Sequence, residues 1–423
     1  MSPYLTIKGR WLLLSGLAFL LTGALLSDAL ILFLGQIQIV LLAVSFMLIV
    51  PGAVALDRRY VRLRITSDVQ GHVVGDDVTL HVEVLNESTS GLYAVSARPF
   101  GAHALDMTPI DAVSALPSES SVARTFQATV ARSGRWMIHG FDVCISDPLG
   151  LIETKDYLPC AHAMEFYPRV VRTRGALNTR GIDRHDGGQH MARRVGFGTE
   201  VRELREYQPG DPLRTVAWKA TVRRNRLMSK NYEHETSMSV YLMLDISTSM
   251  RGAGARKLEH AGQIALGVAG QVLKNKDAVG LMSFDEKLYG HLLPSSAGNH
   301  MQRLIHHIMG IHAIVDPDLT EIDDDELSAL LADYLLIQER LDFRKGDEVD
   351  EISGVNERLL RRWVNSVWAK NKQAYQSSVL TEGLYEQKSN RLRRFAQLRG
   401  LEIPYRVEAR LGMKERGLYQ AIE

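Results

Sequence analysis

The stretch Ser239-Val-Tyr-Leu-Met-Leu-Asp-Ile-Ser-Thr-Ser249 decides the fold. Its first half is a continuous apolar run that ends in Asp245. Runs of this kind are buried strands of parallel sheets. Downstream, residues 258–274 carry apolar residues at helical spacing (Ile264, Leu266, Val268, Val272, Leu273). A second apolar run, Ala278-Val-Gly-Leu-Met-Ser-Phe-Asp285, reads as another buried strand. A short strand over 287–293 and a helix over 300–311 follow. Strand, helix, strand, helix predicts an α/β unit with a parallel sheet. Ligands of such sheets bind beyond the carboxyl ends of the strands. Asp245 stands at that end.

Asp245-x-Ser247-x-Ser249 is the sharpest chemical motif. A carboxylate at a strand end and two hydroxyls from the next loop are hard oxygen donors. Such donors suit Mg²⁺, Mn²⁺ or Ca²⁺ rather than zinc. With so few protein carboxylates around it, a bound cation would accept a carboxylate from outside. The plainer alternative is an aspartate-serine turn that caps the following helix.

Upstream, residues 167–235 hold 13 Arg and 2 Lys against 8 acids. This basic run has four readings: a nucleic-acid site, an anionic lipid contact, a partner-docking face, or a solvated surface. Before it, residues 59–170 change to period two. Val78-Thr-Leu-His-Val-Glu-Val84 and Arg124-Thr-Phe-Gln-Ala-Thr-Val130 alternate as half-buried strands do. Short strands at that spacing predict an antiparallel β-sandwich. Both cysteines, Cys144 and Cys160, fall here and read as reduced thiols, at least one of them in the core.

The start of the chain differs again. Only Asp28 is charged between Trp11 and Leu56, with 17 uncharged residues before it and 28 after it. A helix needs about 20 apolar residues to cross the hydrocarbon core. Two crossings fit, with the turn near Ser27-Asp28 or near Gly35-Gln36. Lys8 and Arg10 flank one side; Arg58, Arg59, Arg62 and Arg64 flank the other. Positive charge stays cytoplasmic. Both termini and the soluble domains are therefore expected on the cytoplasmic side of the membrane.

Past 311, helices are predicted over 324–343, 359–369 and 389–398, a late strand over 401–407 and a closing helix over 414–422. Residues 316–350 are acidic, with 13 acids against 3 bases. They could face the basic segment or lie in solvent. His306, His307 and His312 invite a metal reading, but His307 and His312 do not share a face at helical spacing, and satisfied or surface histidines are the plainer reading. No phosphate-binding glycine loop with a Lys-Ser/Thr end is present, so ATP hydrolysis by this chain is not expected. The whole chain of 423 residues has 50 Lys and Arg against 49 Asp and Glu, a net charge of +1. That balance argues against a general nucleic-acid binder. The length allows two or three domains. The expected layout is a transmembrane hairpin (1–58), a β-sandwich (59–170), a basic segment (171–236) and an α/β domain with an acidic helical elaboration (237–423).

Asp245-x-Ser247-x-Ser249 after its strand resembles the metal-ion-dependent adhesion site of von Willebrand factor A domains. The stretch Arg205-Glu-Tyr-Gln-Pro-Gly-Asp-Pro-Leu-Arg214 with Trp218-Lys-Ala220 and Arg223-Arg-Asn-Arg-Leu227 resembles the signature of an uncharacterised bacterial membrane family. Asp147-Pro-Leu-Gly-Leu151 and Tyr167-Pro168 match the same pattern. That family joins a transmembrane hairpin, a β-sandwich and a von Willebrand A-like, Rossmann-type domain. The resemblance implies that Asp245, Ser247, Ser249 and Thr320 hold Mg²⁺ (or Mn²⁺ or Ca²⁺). It also implies a MoxR-type AAA+ ATPase as partner, with assembly or maturation of a client protein as the outcome. The family's later acidic ligand has no counterpart after Thr320. The leading expectation is a non-enzymatic, membrane-tethered scaffold. The rivals are a metal-assisted hydrolase, with Asp285 as its general base, and a metal-free structural envelope protein.

Overall fold

The computed structural model describes residues 3–67, 71–171, 201–232, 238–285, 287–315, 317–345, 349–350, 353–375 and 388–405. The chain opens with strand β1 (Tyr4–Leu5) and two long helices, α1 (Ile7–Leu26) and α2 (Ala29–Asp57). The turn between them is at Ser27-Asp28. Ser27 takes a left-handed backbone, and the Asp28 carboxylate caps α2 by accepting from the Leu30 and Ile31 N–H groups. Both helices are long and apolar enough to cross a membrane. They pack closely because glycines line the seam. A Cβ on Gly35 would stand 2.8 Å from the Leu20 nitrogen, so only glycine allows that approach. The last turns of α2 leave the apolar seam. Ile49, Ala53, Ala55 and Leu56 are buried, and Gly52 sits on Ile145 of the next domain.

Nine strands follow: β2 (Val61–Ser67), β3 (Gly71–Val73), β4 (Val78–Asn86), β5 (Leu92–Gly101), β6 (Leu105–Met107), β7 (Ile110–Leu116), β8 (Ser120–Val130), β9 (Gly134–Ser146) and β10 (Ile152–Tyr167). One sheet runs β1-β10-β9-β5-β7, with β3 beside β10; the other runs β2-β4-β8-β6. Every ladder is antiparallel except β3 on β10. The alternation in β4 explains the layering. Val78, Leu80, Val82 and Val84 all point into the core. Phe126 and Phe141 meet edge-to-face there, centroids 6.1 Å apart.

In the basic segment, residues 201–232 form an antiparallel pair, β11 (Val201–Glu206) and β12 (Met228–Tyr232), linked through the short helix α3 (Trp218–Arg224). Then come β13 (Ser239–Asp245), α4 (Thr248–Lys274), β14 (Ala278–Phe284), β15 (Leu288–Ser295) and α5 (His300–Ile311). β13 and β14 are parallel, joined by α4; β15 returns antiparallel to β14. Leu244, Leu258, Leu266, Val279, Leu281, Leu304 and Ile308 make this unit's own apolar core.

The C-terminal third is helical: α6 (Asp324–Tyr334), a π turn (Leu335–Glu339), α7 (Glu357–Lys370), the short α8 (Lys372–Tyr375) and α9 (Lys388–Leu398). The predicted long helix over 324–343 thus runs through Tyr334 into the π turn and ends at Arg340, whose backbone is left-handed. These helices cover the sandwich. Leu327, Leu331, Leu360, Trp368 and Phe395 share one apolar cluster with Phe141 and Val143 of β9. An attachment to the α/β unit was the expectation from sequence; the apolar stripe fits the sandwich instead. Of the predicted strand over 401–407, the described part shows only a bridge between Tyr405 and Thr320. The closing helix over 414–422 lies outside the described residues. The acidic run serves the same covering layer. Asp324 pairs with Arg393 and Arg361, Glu339 with Arg399, and Asp333 with Arg344.

A buried polar joint fixes the α/β unit to the sandwich. Glu259 on α4 accepts from the Ser133 N–H and Oγ at 2.9 and 2.8 Å and lies 3.0 Å from His312 Nε2. Burial alone would raise the Glu259 pKa, but the His312 and Ser133 donors outweigh it and hold it at about 2. Burial also pushes His307 down to about 4, where Ser283 Oγ meets its Nε2 at 2.9 Å. Both shifts have the same consequence in acid. His307 stays neutral in the fold while an unfolded histidine charges below 6.5, so its stabilisation is lost as pH falls from 6.5 towards 4. The contribution of Glu259 is complete above 4.5 and is lost as pH falls towards 2. Urea unfolding of the detergent-solubilised chain should show stability falling between pH 6.5 and 4, with roughly 2–3 kcal/mol of the fall from His307. His307→Gln should remove the His307 share of that fall, with His139 and His312 supplying the rest, and Glu259→Gln should flatten the window below it. A wild-type profile flat down to pH 4 would contradict this account.

Candidate functional site

Asp245 closes β13 opposite Phe284 of β14, at the carboxyl end of the parallel pair. Its Oδ1 accepts from the Ser247 N–H at 2.8 Å, which folds the loop back on the carboxylate. Ser247 is the N-cap residue of α4, yet its side chain makes no capping bond. Its Oγ instead lies 2.9 Å from Ser249 Oγ. The two hydroxyls and the carboxylate therefore gather on one loop. Asp245 is half-buried, Ser247 is buried, and Ser249 is exposed. Three hard oxygen donors at the mouth of a strand end fit Mg²⁺, Mn²⁺ or Ca²⁺ by donor type. The aspartate-serine turn of the plainer reading is present as well; capping by the Ser247 hydroxyl is not.

Arg251 holds this loop in place, and sequence reasoning missed it. It is 4 % exposed. Its Nε donates to the Ile246 carbonyl at 2.8 Å, Nη1 to Ile314 at 3.1 Å and Nη2 to Ile311 at 3.2 Å. Its guanidinium lies 5.1 Å from the centre of the Tyr405 ring. One side chain thus ties the β13–α4 turn to the end of α5. The signal was a cation in the first turn of a helix, where the helix dipole disfavours positive charge unless something else requires it.

Thr320 is placed differently. It is fully buried, and its Oγ1 accepts from Arg393 Nε at 3.0 Å. Arg393 Nη2 also donates to the Ile322 carbonyl at 2.7 Å. A chain of neighbours links Thr320 to the Asp245 loop: its backbone bridges Tyr405, whose hydroxyl lies 3.4 Å from Arg251 Nη1. A hydroxyl held by a guanidinium is a poor donor to a divalent cation, because the two cations repel. The structure therefore joins Asp245, Ser247 and Ser249 and turns the Thr320 hydroxyl towards α9. Asp285, one residue past β14, is 5 % exposed, and its N–H donates to the Lys287 carbonyl at 3.1 Å. Among the described residues no cluster of three or more His, Cys, Asp or Glu could hold a metal. The donor count rests on the two serine hydroxyls.

His312 joins Glu259, and His306 stacks edge-on with Tyr167. Cys144 and Cys160 are free thiols. Burial and the adjacent Glu153 push Cys144 up to about 12, which leaves it unreactive.

Comparison with known proteins marks the same region. Residues 203–331 match a family described as "Protein of unknown function DUF58". That span runs from β11 through the Asp245 loop and Thr320 into α6. The uncharacterised protein YeaD of Bacillus subtilis (strain 168) is 24% identical over 225 residues, 52% of this chain and 54% of that protein. The chain therefore spans about half the length of the curated relative it matches. Two solved structures align weakly. A FixG-related protein from Vibrio parahaemolyticus covers 25% of this chain and 96% of its own, at 6% identity and a TM-score of 0.18. The secreted serine protease VesC from Vibrio cholerae covers 27% and 25%, at 11% identity and a TM-score of 0.19. The likeness that holds is to uncharacterised bacterial proteins of the DUF58 type, and the family match takes in Asp245, Ser247 and Ser249.

Proposed function

We propose that this chain is a membrane-tethered docking protein. Its α/β unit, read as von Willebrand A-like, presents the Asp245 loop to a partner at the cytoplasmic face of the inner membrane. The supporting observation is the gathering of the Asp245 carboxylate with the Ser247 and Ser249 hydroxyls at the strand end. A divalent cation held there would supply electrophilic charge for a carboxylate on the partner. The partner this reading favours, by the resemblance of the 205–227 signature, is a MoxR-type AAA+ ATPase, with assembly or maturation of a client as the result. The buried joint of Glu259, Ser133 and His312 suits this role, because it would transmit a load on the α/β unit to the anchored sandwich.

The test is recovery of the ATPase on immobilised, detergent-solubilised full chain. Wild type with Mg²⁺ should retain it. EDTA or Asp245→Ala should lower recovery about tenfold or more, the scale of losing one buried charge contact. Equal recovery in all three conditions would sink the metal-bridged reading.

A further inference from the structure

The hairpin and the sandwich touch at two places and part between them. At one place the start of α1 is fastened to the β9–β10 loop. Thr6 N–H donates to the Leu151 carbonyl at 2.9 Å, and Thr6 Oγ1 to Gly150 at 2.8 Å. Gly9 rides directly on Leu151; a Cβ there would stand 2.2 Å from its oxygen. At the other place Ile49 and Gly52 of α2 are seated on the sandwich. Between these contacts lies a cleft of about 400 Å³. Its walls include Leu13 of α1, Ile39, Leu42 and Phe46 of α2, and Tyr4 and Ile152 of the β1–β10 pair. The volume falls in the range of built ligand sites, about 300–1,000 Å³.

Two features select the occupant. The first is depth. The 20 residues of α1 span about 30 Å, the thickness of the hydrocarbon core. The cleft walls therefore belong to the last apolar turns. Tyr4, just ahead of Ile7, stands at the headgroup level, where tyrosine is favoured. The second is the polar group at that mouth. Tyr4 pairs across the strands with Glu153, and Lys155 Nζ lies 5.6 Å from the centre of the Tyr4 ring. Glu153 takes one of the three N–H donors of Lys155, at 3.2 Å. The Tyr4 side chain takes a second, which leaves the third for an anionic oxygen. Lys8 and Arg10, both exposed, add positive charge on the first turns of α1.

We propose that this cleft holds one acyl chain of a membrane phospholipid, whose phosphate is received by Lys155 beside Tyr4. The lipid then acts as a wedge that sets the angle between the hairpin and the sandwich. The inference rests on the membrane-spanning reading of α1 and α2.

The test uses the full chain reconstituted in vesicles of phosphatidylethanolamine and phosphatidylglycerol, with diacylglycerol as a phosphate-free arm. The chain is extracted in mild detergent and weighed by native mass spectrometry. One retained phospholipid per chain is expected, from either headgroup, with diacylglycerol lost. Ala43→Trp fills the cleft from an exposed position and should cut retention about tenfold, with Leu13→Trp as the second filling variant. Lys155→Ala should cut phospholipid retention by a similar factor. Absence of a stoichiometric lipid, or equal retention after filling, overturns the site. Equal retention of diacylglycerol overturns the role of Lys155. Flotation of the vesicles reads insertion separately: a chain that does not float overturns the membrane-spanning reading and the lipid site together. A chain that floats without lipid overturns the lipid site alone.

Discussion

Glu339→Ala is expected to lower the unfolding free energy by about 3–5 kcal/mol, the cost of stripping a buried charge of its partner. Glu339 ends the π turn after α6 and is 7 % exposed; Arg399 follows α9 and is 4 % exposed. Arg399 Nε donates to Glu339 Oε1 at 2.7 Å, and Nη1 donates to Tyr375 Oη at 2.9 Å. The guanidinium also lies 3.6 Å from the centre of the Phe395 ring. Around this pair a second layer of polar atoms closes on itself. Tyr157 Oη donates to the His139 carbonyl at 2.9 Å and lies 2.7 Å from its Nδ1. Tyr334 Oη lies 3.0 Å from His139 Nε2. The set is satisfied if Nδ1 carries the proton and Nε2 accepts from Tyr334. Burial, with help from Arg399, holds the His139 pKa well below the usual histidine value, so the ring adds no second positive charge. In Glu339→Ala the Arg399 cation keeps Tyr375 and aromatic faces but no anion. Thermal unfolding should shift down by on the order of 10 °C. The double variant Glu339→Leu/Arg399→Met should recover most of that loss, because an apolar pair needs no desolvated charge. A single variant with wild-type stability would contradict the account of this core.

Asp147→Ala is the second large effect. Asp147 is 1 % exposed and organises the loop to which the hairpin is tied. Its Oδ1 accepts from the Leu151 and Ile152 N–H groups, each at 2.7 Å, and its Oδ2 from Leu149 at 3.0 Å. Hydrogen bonds to a charged group contribute about 1.5–3 kcal/mol each and are not additive within one loop, so a loss of about 3–4 kcal/mol is expected. Because Thr6 is bonded to Gly150 and Leu151, the same change should loosen the start of α1. Limited proteolysis within 147–151 should rise in parallel with the loss of stability. Asp147→Asn keeps one acceptor and should lose about half as much. Loss of stability with no change in cleavage would separate the loop from the hairpin and refute the link.

Local patterns were legible and distant pairings were not. The run 239–245 and the spacing over 258–274 fixed β13 and α4, because strand and helix periods depend on near neighbours. The hairpin turn had two candidates in sequence. Asp28 decided between them, because only there can a carboxylate cap the Leu30 and Ile31 N–H groups. The helices after 322 were visible as apolar stripes, but a stripe does not say which sheet it covers. Trp368 and Phe395 joined the sandwich, far back in the chain. At the candidate site, Asp245, Ser247 and Ser249 are close because they are neighbours in sequence. Thr320 Oγ1 accepts from Arg393, 73 residues away, and no spacing rule connects the two. The two buried arginines Arg251 and Arg393 decide where those donors face. Their roles follow from carbonyls and a hydroxyl brought together only by the fold.

The central claim is that the Asp245 loop is a cation-dependent docking site. Calorimetric titration of Mn²⁺ into the detergent-solubilised full chain addresses it directly, with wild type and Asp245→Ala side by side at equal thermal stability. One saturable site in wild type that Asp245→Ala abolishes is the predicted result. No uptake by wild type, or the same uptake by both, would contradict it.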